Sequence, residues 1–147
     1  RALRSQQTAE PVAARHGLTP QVLDGVHEVA IGDLEGRQQP EDHHALHEMY
    51  RAWHCGDLEA ALPGGESGSQ VLDRYLPDVA AIRAAHPGGT AVLVSHGAAT
   101  RLAIVALASN IDGSFAGPRL LPNAATVLLE ADEDSWRCLR WEDIELG

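Results

Sequence analysis

The sequence predicts an α/β fold, and three features carry that prediction. Segments of helical period alternate with short β-branched runs. The run Thr90-Ala91-Val92-Leu93-Val94-Ser95 passes through Ser95-His96-Gly97 straight into an Ala-rich helix. Two late apolar runs are spaced as a hairpin. Residues 1–15 read as a helix, with Leu3, Thr8, Val12 and Ala13 recurring at helical spacing. Pro11 bends or breaks it, and Gly17 with Pro20 supplies the stop. A short strand, Gln21-Val22-Leu23, follows, then an irregular stretch from Val26 to Gly36 punctuated by Gly32 and Gly36.

Pro40 to Leu62 reads as a helix with Leu46, Met49, Tyr50 and Trp53 on one face. Ser67-Gly68-Ser69-Gln70 matches the S-x-x-Q capping pattern. The helix it opens buries Val71, Leu72, Tyr75, Leu76 and Val79 and is kinked by Pro77. Strand Thr90–Ser95 and helix Ala98–Ala108 come next. Thr126–Glu130 and Trp136–Trp141 then pair across a turn at Asp132-Glu133-Asp134-Ser135. Trp136 and Trp141 suit that hairpin, and Trp53 is core or pocket wall. No repeat, low-complexity tract or linker interrupts residues 1–147, which read as a single domain.

A chain of 147 residues removes about two-thirds of its unfolded surface from water. There is no run of 18 apolar residues and no signal-peptide pattern at the start. Net charge is −10, from 11 basic and 21 acidic side chains. Such a surface repels polyphosphate backbones, which excludes nucleic acid as the expected partner but leaves room for a locally basic pocket binding a small phosphate ester. Cys55 and Cys138 are far apart and form no C-x-x-C, so reduced thiols in a cytoplasm are the simpler reading.

The Ser95-His96-Gly97 turn places an imidazole at the end of an apolar run and beside a helix N-terminus, where free N–H groups and the dipole favour an anion. On spacing alone His96 is equally a phosphate ligand or a residue that fills a strand–helix turn.

Four separated segments resemble the histidine phosphatase superfamily, the phosphoglycerate mutase-like proteins. Arg4-Ser5-Gln6-Gln7-Thr8-Ala9 resembles its R-A-x-x-T-A element, and Val26-His27-Glu28-Val29-Ala30-Ile31-Gly32-Asp33-Leu34-Glu35-Gly36 its L-x-E-x-x-F-G-x-W-E-G stretch. Pro63-Gly64-Gly65-Glu66-Ser67 matches P-G-G-E-S, and Val94-Ser95-His96-Gly97 is the fourth. They stand in the family's order from Arg4 to about Thr126. The resemblance implies a three-layer α/β/α phosphoglycerate mutase-like fold, here partial, with an N-terminal strand and helix missing.

Members of that family pass a phosphoryl group to a histidine nitrogen and then to water or another hydroxyl. Charge spreads over the equatorial oxygens in that transition state, so fixed cationic donors are the main requirement. The resemblance implies that Arg4 donates to phosphate as a bidentate guanidinium and that His96 binds and stabilises the transferring phosphoryl. It implies that Glu28 protonates the leaving oxygen and then assists water, the phosphate's own charge favouring the protonated carboxyl. Asn123 resembles a further family position near the phosphate. Glu35 reads as a structural hydrogen-bonding group within the Gly32–Gly36 turn, and Glu66 and Ser67 as helix-start groups.

The family's nucleophile lies in an R-H-G triplet, and this chain contains Arg15-His16-Gly17. That triplet follows a helix instead of an apolar strand and comes after Arg4 instead of before it. Gly17 reads as a helix C′ residue and His16 as a dipole-favoured cap. The attacking histidine is therefore expected upstream of Arg1, with the 147 residues part of a longer chain.

His43, His44, His47 and His54, among Glu41, Asp42 and Glu48, invite a metal reading because His43 and His47 stand at i, i+4. The order is not H-E-x-x-H and no third ligand is evident, so a solvated helix face is preferred. In the family this region is a variable insertion over the pocket, where a histidine contributes to substrate choice. No metal or cofactor is implied.

The expected function is a cytoplasmic phosphohydrolase acting on a small phosphomonoester through a phosphohistidine. Its partner is a small phosphorylated metabolite, with no nucleic acid and no membrane, and a homodimer is left open. The short Gly36–Pro63 spacing favours a phosphatase over a cofactor-dependent phosphoglycerate-type mutase. The alternative from another class is an inactive family member serving as a binding or regulatory module.

Overall fold

Three helices, α2 (Pro40–His54), α3 (Gly68–Ala85) and α4 (Gly97–Leu107), pack around one apolar core built from Met49, Trp53, Val71, Tyr75, Val79, Ala99, Leu102 and Ala103. In α2 and α3 the apolar residues recur every three or four positions and turn one stripe inward, whereas α4 buries the consecutive residues Arg101, Leu102, Ala103 and Ile104. The computed structural model describes residues 2–132 and 135–147. Before these helices comes α1 (Leu3–Arg15), and after them the four-residue α5 (Gly113–Ala116) and the strands β1 (Val127–Ala131), β2 (Trp136–Trp141) and β3 (Ile144–Glu145). The strands form one antiparallel sheet in the order β1-β2-β3. A second core of Ile104, Ala108, Ala116, Cys138 and Trp141 binds that sheet to the end of α4. Helices and sheet together make the mixed α/β class the sequence predicts. Glu133 and Asp134 of the expected turn lie outside the described residues, but Asp132 N–H does donate to Ser135 O at 2.8 Å.

Local signals are realised where the sequence carries them. Gly17 N–H donates to Ala14 O at 3.2 Å and Leu18 N–H to Ala13 O at 2.9 Å, closing α1 in a Schellman arrangement with His16 as C-cap. Ser67 Oγ accepts Gln70 N–H at 3.3 Å, and Gln70 Oε1 accepts Ser67 N–H at 2.9 Å, the reciprocal box that starts α3.

Three expectations are corrected. The helix expected to reach Leu62 ends at His54, because Gly56 takes a left-handed φ of 100° and Trp53 Nε1 then ties the returning chain at Ala60 O (2.8 Å). Gln21–Leu23 forms no strand; it follows Pro20, leaves Val22 56% exposed and pairs with no strand among the described residues. Thr90–Ser95 likewise pairs with no strand among the described residues, and Val92 is 71% exposed. Its β-branched composition favours extended backbone, but a ladder requires a second strand. The helix α5 and the strand β3 were not anticipated.

Candidate active site

The amino end of α4 gathers three segments that lie far apart in the sequence. His96 is its N-cap, 9% exposed, with its carbonyl accepting Thr100 N–H at 2.9 Å. Arg4, from the first turn of α1, brings Nη2 to 3.1 Å from His96 Nδ1. A guanidinium only donates, so Nδ1 is the acceptor and the neutral ring carries its proton on Nε2. Burial holds the His96 imidazole below its ordinary pKa; the positive charge of Arg4 works the same way, and Glu28 opposes both. The ring is thus poised as a neutral N–H donor beside a permanent cation.

Glu28 reaches the same helix end. Its Oε1 accepts Ala99 N–H at 3.0 Å and its Oε2 accepts Ala98 N–H at 3.4 Å, while Oε1 also takes Val29 N–H at 3.0 Å. The helix N–H groups read from the sequence as an anion site therefore hold an anion in this structure, and it is the carboxylate of Glu28. Ser95 Oγ donates to Val26 O at 2.8 Å and pins the Glu28 loop against the α4 turn.

A cleft of ≈ 500 Å³ opens over these groups, within the size range of small-molecule sites. Arg4, Glu28 and His96 line it together with Glu35, Leu46 and Tyr50. Burial pushes the Tyr50 hydroxyl above its ordinary range and the negative charge of Glu28 adds to the effect, so it faces the cleft as a neutral phenol. Trp53 is core, 3% exposed, standing behind Tyr50 in an edge-to-face contact at 5.3 Å.

The remaining sequence candidates fall elsewhere. Asn123 is exposed in the turn before β1 and does not line the cleft, although Leu121 O lies close to Gly97 at the start of α4. His16 caps α1 in solvent, away from the cleft lining. Glu35 Oε1 accepts Ile31 N–H at 3.2 Å, the structural bond expected of it. His43, His44 and His47 are exposed on α2, and among the described residues no group of three His, Cys, Asp or Glu is arranged to hold a metal. Cys55 and Cys138 are free thiols, and no described helix is long and apolar enough to cross a membrane.

Two arginines escaped sequence reasoning. Arg101, 4% exposed, donates to Ala116 O (3.0 Å) and Gly117 O (2.6 Å), tying α4 to α5. Arg74 on α3 pairs bidentately with Glu66 and donates to three carbonyls of the Glu28 loop. Both satisfy backbone acceptors, which leave no mark in a sequence.

Comparison with known proteins identifies the family and the fold. The profile of the histidine phosphatase superfamily (branch 1) matches residues 1–144. The metal-independent phosphoserine phosphatase of Arabidopsis thaliana is 26% identical over 144 residues, covering 96% of this chain and 58% of that protein. A Salmonella paratyphi B protein described as "Probable phosphoglycerate mutase GpmB" is 30% identical over 145 residues, covering 94% and 64%. The chain thus spans about three-fifths of the length of these curated relatives. A mycobacterial glucosyl-3-phosphoglycerate phosphatase solved with inorganic phosphate superposes with a TM-score of 0.74 at 27% identity, covering 95% of this chain and 72% of that one. Its complex with VO3 gives a TM-score of 0.78, also at 27% identity, covering 95% and 71%. By profile, sequence and fold alike, this chain belongs to the histidine phosphatase superfamily.

Proposed function

We propose that the full-length gene product containing this chain is a phosphohydrolase that removes phosphate from a small phosphomonoester through a phosphohistidine intermediate. The observation that carries the reading is the meeting of Arg4, His96 and Glu28 in one cleft at the amino end of α4. Arg4 supplies fixed positive charge and paired donors to phosphate oxygens. His96, its Nδ1 engaged by Arg4, offers Nε2–H to an equatorial oxygen whose charge grows as the phosphoryl transfers. In the first half-reaction an imidazole nitrogen bonds to phosphorus, the ester P–O bond breaks, and Glu28 gives its proton to the departing oxygen. In the second, water attacks phosphorus, the P–N bond breaks, and the Glu28 carboxylate takes the water proton. The attacking imidazole is a residue other than His16, which stands outside the cleft.

The relatives are named for phosphoserine, phosphoglycerate (as a probable mutase) and glucosyl-3-phosphoglycerate. These share a carboxylate close to the phosphate ester, and such compounds are the substrate class proposed here. The reaction needs no metal in this reading, as the name of the plant relative states of that protein. A cytoplasmic location is part of the proposal.

The test is hydrolysis of a panel of phosphomonoesters by the full-length protein in the presence of a chelator. Arg4→Ala, His96→Ala and Glu28→Ala should each lower kcat/KM by about 10²-fold or more, as loss of a charge-stabilising or proton-donating group does. Wild-type turnover in all three variants would remove the site assignment. Transfer of phosphate to a second ester in preference to water would make the protein a mutase. Absence of any turnover by the wild type, with phosphate still bound, would make it a binding module.

A further inference from the structure

The loop that carries Glu28 is bonded along its length. Gly25 N–H donates to Asp78 Oδ2 (2.7 Å), and Ala30 N–H to Glu66 Oε2 (2.8 Å). The carbonyls of Gly25, His27 and Glu28 accept from Arg74 at 2.6, 2.9 and 3.2 Å, while that of Ala30 accepts Glu66 N–H at 2.8 Å. Arg74 is central to this arrangement. Its Nε and Nη2 hold Glu66 at 2.7 and 2.9 Å, which leaves Nη1 and the rest of Nη2 for the three loop carbonyls. The pair is mostly buried, with side-chain exposures of 17% and 19%, and Arg74 holds the Glu66 carboxyl below the usual range. The loop also lies directly on α3: a Cβ on Gly25 would come within 1.9 Å of Arg74 O, so only glycine permits the approach.

We propose that Arg74, braced by Glu66, is a positioning residue for the proton donor Glu28. It fixes the backbone on which Glu28 is mounted, so that the carboxylate reaches the Ala98 and Ala99 N–H groups and the cleft. This rests on the reading of Glu28 as the acid. A planar five-donor guanidinium meets two carboxylate oxygens and three carbonyls at once; a lysine ammonium has three donors and one centre.

Proton donation matters most when the leaving oxygen is a poor leaving group. An alkyl phosphate needs the proton, whereas p-nitrophenyl phosphate expels a stable phenolate without one. In the full-length gene product, Arg74→Gln should lower kcat/KM, which reports the first half-reaction alone, by about 30-fold for an alkyl phosphate and by less than about 3-fold for p-nitrophenyl phosphate, a split that Glu28→Gln shares. Inhibition by inorganic phosphate should weaken by no more than about 2-fold, because Arg4 and His96 are untouched. Amide exchange at Ala98 and Ala99 should quicken in Arg74→Gln, since the carboxylate leaves them. Arg74→Lys, which keeps the charge, should show the same split more weakly.

Equal loss on both esters, or unchanged exchange at Ala98 and Ala99, overturns the positioning role. If instead exchange quickens but Glu28→Gln shows no split, Arg74 still positions Glu28 and the acid assignment is what fails.

Discussion

Glu28 Oε1 accepts the N–H of Ala99 at 3.0 Å, so an acidic side chain caps the helix end proposed here to face phosphate. A carboxylate and a phosphate dianion there repel each other while drawing on neighbouring donors. Removing the carboxylate should therefore separate binding from turnover. Glu28→Ala is expected to bind inorganic phosphate about 5-fold more tightly or better by calorimetry, with α4 destabilised by about 1 kcal/mol through loss of its cap. Weaker phosphate binding in that variant would mean that Glu28 helps to hold the ligand.

Arg4 and His96 form the second coupled pair. Arg4→Ala removes charge-assisted donors and should weaken phosphate binding by about 1.5–3 kcal/mol. It also removes one of the charges that, after burial, keep the His96 imidazole below its ordinary pKa. His96 should then titrate at higher pH in the variant, read from its ring resonances by NMR. A downward shift would show that the two side chains do not meet in solution as they do here, at 3.1 Å.

The start of α3 was legible because Ser67 and Gln70 solve a problem three residues wide. The end of α2 was not, since apolar spacing continues through Leu58 and Leu62 while one residue, Gly56, reverses the chain. Thr90–Ser95 looked like a strand because propensity is local, whereas pairing depends on a distant segment. At the site, Arg4 and His96 are 92 positions apart and no periodicity connects them; only the ordered motifs of a family brought them together. The role of Arg74 was hidden for a different reason. Its partners in the Glu28 loop are carbonyls, which every residue has.

His54 gives the fold a pH dependence. Burial, and next the Arg101 charge, lower its pKa from 6.5 to about 4. In the unfolded chain the ring takes up its proton near pH 6.5, and in the folded chain only near pH 4, so stability is fully present above 6.5 and is lost as pH falls through that window. The ring is partly solvated, which limits the loss to about 1–2 kcal/mol. Urea midpoints at pH 7.5 and pH 5 should differ more in the wild type than in His54→Gln. An equal difference in both would assign the acid sensitivity to other groups.

Two valines at opposite extremes of exposure test the unpaired state of Thr90–Ser95. Val71 is 0% exposed at the centre of the three-helix core, and Val92 is 71% exposed. Truncating Val71→Ala removes two buried methyl groups and leaves a void in close-packed surroundings, at a cost of about 2 kcal/mol. Val92→Thr replaces an exposed methyl with a hydroxyl of the same shape and keeps the β-branch, so the 147-residue chain should lose less than about 0.5 kcal/mol. Both values come from denaturant midpoints at a fixed slope. A loss at Val92 approaching that at Val71, growing with protein concentration, would show that a second copy covers this segment in solution.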